Sequence, residues 1–70
     1  MPEMIFVDSS NVEAIGYDKD LQELHVQFVG GTLYIYSGVP PEIFDGLMYA
    51  ASKGSFLNRE VKGVYQVTKQ

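Results

Sequence analysis

Two strand-like runs joined by a glycine pair constrain the fold of this chain more than any other feature. The runs are "LHVQFV" (residues 24–29) and "TLYIYS" (residues 32–37), and Gly30 and Gly31 lie between them. The two-residue turns favoured in β-hairpins need positive φ angles, which glycine adopts without steric cost. The pattern therefore predicts a hairpin. A third run upstream, "NVEAIGYD" (residues 11–18), precedes a polar turn and predicts a neighbouring antiparallel strand.

The second half of the chain predicts two short helices. Pro41 can occupy the first helical position of "PEIFDGLMYAAS", where Glu42 lies near the positive end of the helix dipole. Gly54 is placed to end this helix, and Ser55 to cap a second one in "FLNREVKGVY". The predicted class is therefore α+β. We expect a three-stranded antiparallel meander followed by two short helices packed on one face, in the order β-β-β-α-α.

The length of 70 residues suits one small domain over residues 1–70. Residues 1–8 are expected to be loose or to form a short edge segment, and residues 66–70 to be frayed. Cysteine is absent, and no signal-peptide pattern or apolar run of about 20 residues occurs. We therefore expect a cytoplasmic protein that makes no use of disulfides or of a membrane.

Charge is distributed unevenly along the chain, whose formal net charge is −4. Residues 1–50 contain one basic and eight acidic side chains, whereas residues 51–70 contain four basic and one acidic. An acidic protein is poorly suited to holding long duplex DNA by electrostatic attraction. The basic C-terminal part still suits a small anionic ligand.

The hairpin register decides which side chains share a face of the sheet. A two-residue turn pairs Val29 with Thr32, and counting from that pair gives each strand two faces. The predicted helix-covered face carries Leu24, Val26, Phe28, Leu33 and Ile35. The predicted opposite face carries His25, Gln27, Thr32, Tyr34 and Tyr36. A three-residue loop with a bulge would shift this pairing by one residue, but Tyr34 and Tyr36 would still share one face.

Several segments in a fixed order resemble the KTSC domain family. They are "AIGYD", "LHVQF", the glycine before "YIY", "SGVPPEIFDGLMYA", "ASKGSFLN" and "VKGVY", and the resemblance as a whole covers residues 9–65. The family is named for its presence at the C-terminus of some lysyl-tRNA synthetases and also includes free-standing bacterial or phage proteins. The resemblance matches the family's central Tyr-x-Tyr to Tyr34 and Tyr36. It implies no synthetase activity here, and RNA binding is the function that has been suggested for the family.

Catalytic and metal chemistry find little support in the residue types present. His25 is the one histidine, and the scattered carboxylates lack the spacing of metal ligands. We therefore expect no enzyme activity, no metal and no cofactor. Tyr34 and Tyr36 either pack structurally or form a platform on which nucleotide bases stack. Likewise, Lys53, Arg59 and Lys62 are either solvated or grip phosphate groups.

The sequence therefore predicts a non-catalytic binding module for single-stranded RNA or a small nucleotide, held through an aromatic strand face. The candidate ligand-binding residues are Tyr34, Tyr36, His25, Gln27, Lys53, Asn58, Arg59 and Lys62. The alternative is a protein–protein interaction or self-association module that uses the same face or a sheet edge. The second face of the sheet is then covered by a base, by a partner protein or another copy, or by the chain's own N-terminal segment.

Overall fold

The computed structural model describes residues 2–70. Of residues 1–8, for which a loose or short edge segment is predicted, Met1 lies outside the described residues. It contains one antiparallel sheet whose five strands follow one another in chain order. The strands are β1 (Ile5–Phe6), β2 (Val12–Asp18), β3 (Glu23–Phe28), β4 (Leu33–Ser37) and β5 (Gln66–Lys69). The predicted α+β class is confirmed, and the predicted number of three strands is wrong. The two further strands, β1 and β5, form the two edges of the sheet.

Both helices follow β4 in the chain. Helix α1 (Pro41–Tyr49) has Pro41 at its first position, as its fixed φ angle favours. Helix α2 (Lys53–Phe56) continues directly as a π-helical turn (Leu57–Val61). Its N-cap is Ser52, whose hydroxyl accepts a hydrogen bond from the Ser55 backbone N–H, so the predicted cap at Ser55 is wrong.

The loop between β3 and β4 contains three residues rather than two. The Phe28 N–H donates to the Thr32 carbonyl oxygen at 2.8 Å, and this pair closes the loop. Gly30 and Gly31 both have positive φ angles, of 105° and 97°. The longer loop pairs Val26 with Tyr34, a shift of one residue from the register predicted for a two-residue turn.

This shift places the tyrosines on the helix-covered face, so the prediction that they lie opposite the core is wrong. Leu24 pairs with Tyr36, and directly opposed residues point to the same side of a sheet. The buried cluster beneath the helices includes Tyr36, which is 4% exposed. The fully buried side chains of that cluster are Val12, Ile15, Leu24, Val26, Val39, Leu47 and Val61.

The second face carries His25, Gln27, Leu33 and Ile35, and the N-terminal segment covers part of it. Gly16, which pairs with His25, lies beneath residues 2–4. A Cβ atom added at Gly16 would lie 2.9 Å from the backbone oxygen of Glu3. Of the three candidate covers for this face, the chain's own N-terminal segment is the one the structure shows over Gly16. No helix within residues 2–70 has the length and apolarity needed to cross a membrane.

Candidate ligand-binding cleft

A cleft of about 650 Å³ lies between the helix-covered face of the sheet and the second helix. Three parts of the chain form it: the segment before β2, the helix-covered side of strands β3 to β5, and the helical segment that begins at Ser52. The lining residues are Ser9, Ser10, Asn11, Phe28, Tyr34, Tyr36, Ser52, Gly54, Ser55, Leu57, Asn58, Lys62, Gly63 and Val67. Four of the eight predicted site residues are therefore brought together here, namely Tyr34, Tyr36, Asn58 and Lys62.

The sheet side of the cleft is aromatic. The rings of Phe28 and Tyr34 meet edge to face, with centroids 5.3 Å apart and planes inclined by 73°. Both side chains are half-buried, so part of each ring is open to the cleft. The pairing of β3 with β4 explains this arrangement, because Phe28 and Tyr34 point to the same side of the sheet.

Tyr36 lies next to Tyr34 on the side towards the core. Its ring centroid lies 6.4 Å from that of Tyr34. Burial raises the pKa of the Tyr36 hydroxyl, and the neighbouring Tyr34 raises it further. Because only 4% of the residue is exposed, it supports Tyr34 from behind and leaves little of its own ring for a ligand.

Hydroxyl groups shape the opposite sides of the cleft. The Ser9 hydroxyl oxygen accepts the backbone N–H groups of Asn11 and Val12, both at 3.3 Å, and so holds the turn that leads into β2. Ser52 and Ser55 form a second pair, with their hydroxyl oxygens 3.0 Å apart. These serines hold two local turns and present polar atoms along the rim of the cleft.

Lys62 and Asn58 provide the free polar groups on the helical side. Both side chains are exposed, and within residues 2–70 neither makes a side-chain hydrogen bond or an ion pair. The chain has nine acidic residues, yet none of them is among the residues that line the cleft. The local charge is therefore positive in a protein whose net charge is negative, and this favours an anionic ligand.

Lys53 and Arg59 make their side-chain contacts outside the cleft. The Lys53 ammonium donates to the backbone oxygens of Met48 at 3.0 Å and Ala50 at 2.8 Å. It therefore supplies a cationic donor to carbonyl groups at the C-terminal end of α1. Arg59 pairs with Glu60, its Nε lying 3.2 Å from Oε2, and its guanidinium lies 5.9 Å from the Phe56 ring centroid. Neither side chain lines the cleft.

His25 and Gln27 lie on the second face of the sheet, away from the cleft. His25 is 4% exposed, and neither ring nitrogen has a hydrogen-bond partner within residues 2–70. Its Nε2 lies 3.4 Å from Oε1 of Glu23, close enough for attraction but without hydrogen-bond geometry. A two-residue turn would place His25 and Gln27 on the same face as Tyr34 and Tyr36. The three-residue loop places the two pairs on opposite faces of the sheet.

Sequence reasoning missed Phe28 and the segment of residues 9–11 as parts of the cleft. Phe28 follows from the pattern once the loop is counted as three residues, because it then shares a face with Tyr34. The serine-rich turn before β2 carries no comparable signal, since serine and asparagine are common in any turn.

Comparison with known proteins identifies a family over most of the chain. The family model of the KTSC domain matches residues 8–65. A crystal structure of a KTSC domain protein from Yersinia pestis superimposes with a TM-score of 0.93 at 37% identity. The match covers 100% of this chain and 99% of that one.

Three relatives extend the comparison. A protein of Tsukamurella paurometabola is 52% identical over 56 residues, covering 80% of this chain and 84% of the relative. An uncharacterised protein of Stutzerimonas stutzeri is 40% identical over 58 residues, covering 83% and 82%. A lysine–tRNA ligase of Nostoc punctiforme is 32% identical over 59 residues, which are 84% of this chain but 10% of the ligase. The similarity therefore concerns a small part of the ligase.

Proposed function

The chain belongs to the KTSC domain family, and from that premise we propose that it is a non-catalytic module that binds single-stranded RNA or a small nucleotide in the cleft. The observation that carries the proposal is that two aromatic rings lie across the cleft from a lysine. The half-buried rings of Phe28 and Tyr34 form one side, Lys62 lies on the other, and no carboxylate lines the space between them.

The two sides match the two halves of a nucleotide. A base stacked on an aromatic side chain contributes about 1–3 kcal/mol, and it does so with little sequence preference. A lysine ammonium offers a charge-assisted contact to a phosphate oxygen. Asn58 and the rim serines add donors and acceptors for a sugar or a base edge. The cleft volume of about 650 Å³ falls within the range of small-molecule sites.

The number of cations limits the length of the ligand. Lys62 is the single basic residue among those that line the cleft. Each phosphate of a long strand that is left without a basic partner adds nothing to the electrostatic attraction. The proposal therefore favours a mononucleotide or one or two nucleotides of a single strand over an extended polynucleotide.

The family context is compatible with an RNA ligand. One relative is a lysine–tRNA ligase, in which the matching segment is 10% of the chain. A segment of that size is suited to an accessory binding role, and we propose the same kind of role here. No histidine, cysteine or carboxylate is among the residues that line the cleft, so its serine hydroxyls have no imidazole or carboxylate base beside them, and this supports a role without catalysis.

A chemical-shift titration of the ¹⁵N-labelled protein tests the proposal. The ligands are AMP, UMP and single-stranded hexanucleotides of A and of U. The backbone amides of Phe28, Tyr34, Asn58 and Lys62 are expected to shift, while those of His25 and Gln27 on the second face are expected to stay unchanged.

Two variants distinguish stacking from general surface effects. Tyr34→Leu removes the half-buried ring and should weaken binding about tenfold, in line with the loss of one stacked base. Tyr49→Leu is the matched control, because Tyr49 is 91% exposed and lies outside the cleft. Shifts confined to the second face, or none at millimolar ligand, would refute the proposal.

A further inference from the structure

The free edge of β5 is the most regular unpaired backbone surface in the described part of the chain. All four residues of β5 are exposed. Edge strands are usually protected from intermolecular pairing by proline, by a bulge or by several charges. The strand Gln66–Lys69 contains no proline, pairs with β4 in continuous register and carries a single charge, Lys69.

The hydrogen bonds to β4 reveal which groups of β5 remain free. The Gln70 N–H donates to the Leu33 carbonyl oxygen at 2.8 Å, so Gln70 points its backbone groups towards β4. Thr68, two residues before Gln70, is paired with Ile35 and points its backbone groups the same way. Backbone groups alternate in direction along an antiparallel strand. The N–H and C=O groups of Val67 and Lys69 therefore point away from the sheet.

We propose that two copies of this chain associate through β5, pairing antiparallel about a two-fold axis at Val67 so that the two sheets become one. A two-fold axis normal to the sheet keeps both helical layers on the same side. It also makes each residue of β5 oppose a residue of the same face. With the axis at Val67, the outward N–H and C=O groups of Val67 face the C=O and N–H groups of Val67 in the other copy.

A second copy fits this edge better than an unrelated strand because the register is self-complementary. The exposed apolar side chain of β5, Val67, is 51% exposed and meets itself at the axis. Lys69 opposes Tyr65 of the other copy. The Tyr65 N–H already donates to the Val61 carbonyl oxygen and its ring is half-buried against the core, so the Lys69 ammonium would contact the exposed part of that ring. The two Lys69 side chains are about 13 Å apart along the strands, beyond the screening length of about 8 Å at physiological salt.

The other sheet edge is unsuited to the same pairing. β1 contains two residues, Ile5 and Phe6, and acidic residues flank it at Glu3 and Asp8. An antiparallel pair of β1 strands would bring acidic flanks together. Self-association is therefore expected at β5 and not at β1.

The dimer would also join the two clefts. Val67 lines the cleft and lies at the proposed axis, so the cleft of each copy ends where that of the other begins. A ligand longer than one nucleotide would then contact two Lys62 side chains, one from each copy. The dimer itself does not depend on the proposed nucleotide binding, because it rests on the backbone groups of β5.

Single-cysteine variants test the register directly, since the chain contains no cysteine. Directly opposed residues have Cα atoms about 5.5 Å apart, within the range that a disulfide spans. Val67→Cys is therefore expected to cross-link into a dimer under mild oxidation. In the same register the two copies of Thr68 are about 8 Å apart, beyond that range. Thr68→Cys should cross-link at least tenfold more slowly.

Sedimentation equilibrium tests association without cross-linking. The contact is short, so the apparent mass should rise with concentration from 7.8 kDa towards twice that value between about 10 µM and 1 mM. Val67→Pro removes the outward N–H without removing a bond to β4, and it should leave a folded monomer by circular dichroism. Val67→Thr retains the N–H and should still dimerise. A wild-type monomer at 1 mM, or equal cross-linking of the two cysteine variants, would overturn the proposal.

Discussion

Substituting Gly16 by alanine is expected to displace the N-terminal segment from the second face of the sheet. The added Cβ would lie 2.6 Å from the Met4 sulfur, 2.9 Å from the Glu3 backbone oxygen and 3.2 Å from Pro2 Cγ. The methionine side chain can rotate away, but the backbone oxygen moves only if the whole segment moves. Gly16 is not in the positive-φ region, so alanine itself introduces no backbone strain.

The magnitude follows from two opposing effects. Overfilling a packed site costs about 1–3 kcal/mol. Replacing glycine by alanine reduces the entropy of the unfolded chain and returns about 0.4–1 kcal/mol. The free energy of unfolding should therefore fall by about 0.5–2 kcal/mol, and the melting temperature by about 4–8 °C for each kcal/mol lost.

Urea denaturation and amide exchange measure the two consequences separately. The midpoint should fall, and the Val7 N–H, which donates to the Glu13 carbonyl oxygen at 3.0 Å, should exchange faster. Gly54→Ala is the matched control, because its added Cβ meets Asn11 at an ordinary 3.8 Å and alanine favours a helix. A Gly16→Ala protein with unchanged stability and unchanged Val7 protection would refute the packing described for this face.

Three further predictions concern residues whose roles differ from those the sequence suggested. Lys53→Met should lower the free energy of unfolding by about 1–2 kcal/mol, because two carbonyls at the end of α1 lose their cation, while nucleotide affinity stays unchanged; Lys62→Met is the stability control, and equal losses in both would contradict the assignment. His25→Leu should leave stability unchanged or raise it by up to about 1 kcal/mol in urea titrations, since both ring nitrogens lack partners within residues 2–70; a large loss would show that the ring is hydrogen-bonded. Burial raises the pKa of Tyr36 above its usual 10.0, so its contribution to stability is complete below pH 10 and is lost as the pH rises from 10 towards the higher folded-state value; Tyr36→Phe should reduce this alkaline loss in denaturation curves, and an identical pH dependence would contradict it.

The face of the hairpin illustrates how far the sequence determines the fold. Strands β2 to β4 and helix α1 were predicted from alternation, glycine and proline, all of which act locally. The helix-covered face of β3 was also predicted correctly, but that of β4 was predicted wrongly. Strand β4 is apolar or aromatic on both sides, because Leu33 and Ile35 alternate with Tyr34 and Tyr36. The choice depends on one residue in the loop, and local turn preference alone favoured the wrong length.

The edge strands were missed or left uncertain for a different reason. β5 is exposed along its whole length and has Val67 as its one aliphatic residue, so it lacks the alternation that marks a half-buried strand. Its order comes from pairing with β4, which is a tertiary contact. Lys53 likewise could not be separated from Lys62 by sequence, since only the folded chain shows which ammonium reaches the carbonyls at the end of α1.

The affinity of two charge-matched variants for AMP tests the proposed cleft most directly. Lys62→Gln and Arg59→Gln each remove one positive charge from positions three residues apart, and Lys62 alone of the two lines the cleft. Isothermal titration calorimetry should show at least a tenfold loss for Lys62→Gln, as expected when a charge-assisted contact of about 1.5–3 kcal/mol is removed. Arg59→Gln should change affinity less than twofold. Equal losses in the two variants, or a larger loss for Arg59→Gln, would contradict binding in the cleft.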